Sequence, residues 1–215
     1  MKRRDLVQWS AALAATGTLA PGLALAQTAL VKGKDYLEIS PRIAVDVPKG
    51  KVEVIEFFGY FCPHCNVFEP MLAQWLKKIP PYIVFKRVPV AFDSRAKAMQ
   101  QLYYTLEAMG KVESHHTQVF AAVHVKKMKL LSDQEVMNWA KTSGLDFATF
   151  KKTYESFSVA GKPARASQLV NAFQVSGVPS FGIQGRYYID GELSKTTERA
   201  LKSVEILAVQ LQKSA

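Results

Sequence analysis

Cysteine is scarce in this chain: 215 residues hold two, Cys62 and Cys65. That excludes a disulfide-stapled scaffold, and it leaves a structural zinc site short of ligands, because such sites want four Cys or His and there is no second C-x-x-C. Long apolar runs are lacking too. The richest stretch, Ala11 to Leu25, is short, weakly apolar and broken by Pro21-Gly22, which does not suit a membrane-spanning helix. Acidic residues are outnumbered, 18 against 28 basic, for a net charge of +10. The basic residues are scattered, however. The densest run, Lys126-Lys127-Met128-Lys129, reads as a solvated helix end and not as a nucleic-acid patch. Internal repeats and low-complexity tracts are absent beyond the first 26 residues.

Those first residues have their own logic. Met1-Lys2-Arg3-Arg4, an apolar stretch and Ala24-Leu25-Ala26 describe a secretory signal peptide cleaved after Ala26. The Arg3-Arg4 pair leaves twin-arginine or general export open. Cleavage removes three basic residues and one acid, so the net charge falls from +10 to +8. The mature length suits one domain, or one domain carrying an insertion. An exported compartment permits disulfides, and the mature chain has no cysteine to spare for structure.

The two cysteines stand in Cys62-Pro63-His64-Cys65, directly after the apolar run Val52 to Phe58, which reads as a buried strand. Cys62 at a helix start would have its thiolate stabilised by free backbone N–H groups and the positive end of the helix dipole. Spacing of three puts Cys65 one turn along on the same face, where the sulfurs can close a small ring. Pro63 suits an early helical position that needs no donor. The imidazole of His64 favours thiolate over thiol at Cys62, which stabilises the reduced pair and makes the disulfide an oxidant. A static disulfide across so small a loop would remove little unfolded-state entropy. A zinc site would need His115, His116 or His124 from a distant segment; those three read as helix-surface residues.

Apolar spacing predicts a short strand at Tyr36 to Ile39, a strand at Val52 to Phe58, a helix from Cys62 past Trp75, and a strand from Tyr82 to Val88. A helical block follows. Ser94 is expected to cap a helix through Met109, Ser132 to Glu135 forms a capping box, Asp146 caps Phe147 onward, and Pro163 opens a helix to about Phe173. Sheet returns as a hairpin around Gly185, and a last helix spans Thr196 to Gln212. The fold class is therefore α/β, with an all-helical subdomain inserted at 92–160 between thioredoxin-like segments at 27–91 and 161–215.

Glu56 to Cys65, then Phe68-Glu69, then Gly177-Val178-Pro179 carry a resemblance covering nearly all of the mature chain. They resemble the thioredoxin-fold oxidoreductases, and among these the periplasmic DsbA family of thiol:disulfide interchange proteins. The resemblance implies a protein thiol oxidase with no cofactor and no metal beyond the redox-active Cys62–Cys65 disulfide. It implies Cys62 as the exposed nucleophile, Cys65 as the shielded resolving sulfur, and a cis Val178-Pro179 bond beside them that offers backbone hydrogen bonds to an extended substrate. It also implies a buried acid at Glu56 that handles the Cys65 proton, with Glu69 and Lys86 as further charged residues near the site. Expected partners are newly exported cysteine-containing proteins and a DsbB-like, quinone-coupled membrane reoxidase; the expected place is the periplasm, and the expected state a monomer. Disulfide isomerase or reductase, and a holdase that grips unfolded chains beside Pro179, remain open on the same fold.

Overall fold

The computed structural model describes residues 29–214; the signal-peptide reading lies outside them. A five-stranded sheet runs in the order β1-β5-β4-β2-β3. Its centre is β2 (Val52–Phe58), buried along its whole length. This strand pairs parallel with β3 (Ile83–Pro89), a geometry that needs a crossover, and α1 (Pro63–Leu76) supplies it. On its other side β2 pairs antiparallel with β4 (Ser180–Ile183), which pairs with β5 (Tyr187–Ile189), and β5 pairs with β1 (Leu37–Glu38). The turn between β4 and β5 places Gln184 and Gly185 both at positive φ, the conformation a tight hairpin demands.

Between β3 and β4 the chain forms α2 (Lys97–Ala108), α3 (Val112–His124), α4 (Asp133–Thr142), α5 (Phe147–Tyr154), α6 (Phe157–Ala160) and α7 (Lys162–Ala172). After the hairpin come the one-turn α8 (Gly191–Ser194) and α9 (Thr197–Lys213). The expected caps at Ser132 and Asp146 hold, their side chains accepting from N–H groups of the first turn, and Thr196 does the same for α9. The expected cap at Ser94 is corrected. Asp93 caps a 3-10 turn at Ser94–Ala96, and α2 begins only at Lys97, because a carboxylate one residue earlier reaches the Arg95 N–H at 2.8 Å. The short helices α6 and α8 have too few residues for an apolar period to announce them.

Strand alternation sorts the core. Val52 and Val54 face α1 and α9, packing with Phe68, Leu72, Val204 and Leu207. Ile55 and Phe57 face the other way, and Phe57 meets the Phe173 ring edge-on at 5.2 Å. The apolar cluster on that second side runs without a break into the helical block, through Leu102, Leu106, Phe120 and Phe150. Glu56, lying between Val54 and Phe58, is thereby turned toward α1.

Candidate functional site

The chain leaves β2 at Phe58, turns through Gly59, Tyr60 and Phe61, and enters α1 at Cys62. Cys62 is the N-cap residue in extended conformation, Pro63 opens the first turn, and the Cys62 sulfur accepts from the Cys65 N–H at 3.4 Å. Both cysteines are free thiols, so the geometry is that of the reduced pair. Opposite them, the Val178-Pro179 bond is cis, and the Val178 carbonyl accepts from Cys62 Sγ at 3.2 Å. Pro63 and His64 are exposed. Cys62 itself is 6% exposed and Cys65 1%, so the nucleophile expected to stand open is mostly covered, Val178 being seated against it.

The two sulfurs have opposite proton affinities. Cys62 is held down at about 6, first by the hydrogen bond with the Cys65 thiol, then by the N–H groups of Cys65 and His64 and the His64 charge, against the opposing effect of burial. Cys65 is pushed far up, first by burial and then by the neighbouring Cys62 sulfur and the charge of Glu56. Glu56, 1% exposed, is itself raised to about 8 by burial and by Glu69, with Arg87 pulling the other way.

A buried polar network extends from this acid. Arg87 donates through Nε to Glu56 at 3.0 Å and through Nη2 to Glu69 at 2.7 Å. The other Glu69 oxygen lies 3.4 Å from His116 Nε2, and His116 Nδ1 meets the Tyr60 hydroxyl at 2.8 Å. Lys86 is elsewhere: it bonds Glu53 at 2.5 Å and the Asp46 carbonyl at 3.0 Å. Register explains the difference. Lys86 lies opposite Ile55 and shares the face of Glu53, whereas Arg87 lies opposite Glu56.

The histidines are the larger correction. His115 and His116 are buried, 8% and 3% exposed: His115 meets the Trp139 ring of α4 edge-on, and His116 lies between Glu69 of α1 and Tyr60. His124 bonds the Tyr60 carbonyl through Nε2 at 2.8 Å. The signal that could have found them is their spacing with Phe120: His116, Phe120 and His124 recur every four residues along one helical stripe. Among the described residues no group of three or more His, Cys, Asp or Glu is placed to hold a metal ion.

A groove of about 480 Å³ opens beside the pair, bounded by His64, Phe68, Val178 and Pro179 on one side and by residues Asp190 to Thr197 on the other. It is concave and mostly apolar, and the 176–179 loop forms part of its wall.

Comparison with known proteins fits this geometry. Residues 75–202 match the model of the DSBA-like thioredoxin domain. A thiol:disulfide interchange protein DsbA from Bordetella parapertussis is 41% identical over 205 residues, 95% of each chain. Another from Pseudomonas aeruginosa is 36% identical over 186 residues, covering 86% of this chain and 88% of its own. The family-model match begins after the cysteine pair, but these alignments span nearly the whole chain. In three dimensions the crystal structure of Pseudomonas aeruginosa DsbA superposes with a TM-score of 0.80 at 36% identity, covering 85% of this chain and 94% of that one. The oxidoreductase NmDsbA1 from Neisseria meningitidis gives 0.75 at 25% identity, covering 86% and 95%. With a thioredoxin-like sheet, a helical insertion and full-length relatives of one kind, the chain belongs to the DsbA family and is a thiol:disulfide oxidoreductase.

Proposed function

We propose that the protein is a periplasmic dithiol oxidase, exported by a leader cleaved after Ala26, that donates its Cys62–Cys65 disulfide to newly translocated proteins. The supporting observation is the asymmetry of the pair: a thiolate-stabilised Cys62 at a helix N-terminus beside a Cys65 that strongly holds its proton. In this reading the 92–160 insert is a subdomain set into a thioredoxin-like unit drawn from both ends of the mature chain, and the protein acts as a monomer.

A substrate thiolate attacks the Cys62 sulfur of the oxidised enzyme. The new sulfur–sulfur bond joins substrate to Cys62, and Cys65 leaves with the electron pair. Glu56, protonated at neutral pH because of its raised pKa, supplies the proton that Cys65 takes up. A second substrate thiolate then attacks the substrate sulfur of the mixed disulfide, and Cys62 departs readily as a stabilised thiolate. Substrate has lost two electrons and the enzyme has gained them. A DsbB-like membrane protein coupled to quinone takes them away. The 176–179 loop and the groove beside it hold the substrate backbone during the exchange, with Val178 and Pro179 nearest the sulfur.

The experiment is to incubate Cys65→Ala, activated at Cys62 as a mixed disulfide with a small thiol, with a reduced, unfolded cysteine-containing protein. The expected outcome is a covalent enzyme–substrate adduct that reductant releases and that Cys62→Ser does not form. A stable adduct through Cys65 in Cys62→Ser, and none through Cys62, would reverse the assignment of the two sulfurs.

A further inference from the structure

Tyr60 lies two residues before Cys62, in the turn that aims the thiol at the N-terminus of α1. It is held at two separate points by one face of α3. Its hydroxyl meets His116 Nδ1 at 2.8 Å, and its carbonyl meets His124 Nε2 at 2.8 Å. Between the two histidines Phe120 packs edge-on against the Tyr60 ring at 5.0 Å. A carbonyl can only accept, so His124 must carry its proton on Nε2. At His116, the tautomer with its proton on Nε2, the side that lies 3.4 Å from Glu69, leaves Nδ1 free to accept from the Tyr60 hydroxyl. Burial keeps the imidazole neutral by lowering its pKa, which Glu69 opposes. Phe58, Tyr103 and Phe120 close the ring in at 5.0 to 6.0 Å, so it has little room to turn.

We infer that His116 and His124 are positioning residues of the redox site: by clamping Tyr60 they set where Cys62 lies relative to the N–H groups of α1, and so tie the sulfur's chemistry to the helical insert. This rests on the redox reading of the pair given above. The thiolate at Cys62 is favoured by hydrogen bonds that depend on position, the Cys65 N–H among them at 3.4 Å. Freeing Tyr60 lets the turn shift and weakens those bonds, leaving the reduced pair less favoured over the disulfide. Neither histidine touches either sulfur; the effect passes through the backbone from Tyr60 to Cys62.

The test compares wild type with His124→Leu, His124→Gln, His116→Phe and Tyr60→Phe, measuring the equilibrium with reduced and oxidised glutathione and the thiolate absorbance of Cys62 against pH. His124→Leu and His116→Phe are expected to shift the equilibrium toward the disulfide by about threefold or more, which corresponds to a rise of about half a unit in the Cys62 pKa. His124→Gln, which keeps a side-chain N–H for the carbonyl, is expected to return most of the shift. A role in stability alone would weaken the oxidised and reduced forms equally, leaving both readouts unmoved, and that result overturns the inference. Tyr60→Phe removes one hydroxyl and no volume. Should the larger changes prevent folding, its shift in the same direction supports the clamp, and its identity with wild type overturns it. A wild-type protein that exchanges no disulfide with glutathione would sink the redox reading itself, whereas an active wild type with unmoved variants sinks the positioning role alone.

Discussion

At the scale of single residues, the site works by placing charge where burial punishes it unequally. Glu56 binds its proton more tightly folded than unfolded, with a pKa moved from 4.5 to about 8. While it keeps its proton the group brings no charge into the buried site, and stability is lost as pH rises from the lower value through the upper. Glu56→Gln removes that slope, so in denaturant titrations the variant should gain on wild type progressively between about pH 5 and 8. A constant difference across the range would contradict the burial account. Cys62 has the opposite sign: its pKa falls from 9.0 to about 6, so the reduced form gains stability as pH rises through that window and loses it below. The cysteines, Pro63 and His64 were legible from the spacing of the motif, and the cis Val178-Pro179 bond from the family resemblance. Burial of Glu56 was readable from its apolar neighbours Val54, Ile55, Phe57 and Phe58. For the histidines, the four-residue spacing of His116, Phe120 and His124 marks a shared helix face, but their partner, the Tyr60 turn, depends on how α3 lies across it and has no local signature.

At the scale of elements, strand alternation and capping account for most of what a reader of the sequence can place. The strands, α1, the hairpin at Gly185 and the helix starts at Ser132, Asp146 and Thr196 follow from local rules. The exchange of Lys86 for Arg87 beside Glu56 does not, because adjacent strand residues point to opposite faces and the register between β2 and β3 decides which one meets the acid. Local and tertiary contributions should separate by size. Ser132→Ala removes the side-chain acceptor 3.3 Å from the Glu135 N–H at the start of α4 and is expected to cost about 1 kcal/mol. Leu102→Ala, at a fully buried position in α2, is expected to cost about 2–5 kcal/mol. Both are read from urea midpoints on the oxidised protein; equal losses would mean that the helical block is held by its caps and not by its core.

At the scale of the whole molecule, the insertion and the sheet share one apolar cluster, so the helices are packed as part of the core that supports the Cys62 turn. The proposed oxidase function carries one thermodynamic consequence, resting on Cys62 at the start of α1 and its lowered pKa: the dithiol should be the favoured state of the pair. The direct measurement is the equilibrium of the purified wild-type protein with glutathione at neutral pH. The expected result is a pair that stays mostly dithiol in a mixture where an unperturbed thiol pair is mostly disulfide. A pair found mainly as disulfide in that mixture, with Cys62 titrating near 9.0 instead of about 6, would contradict the account.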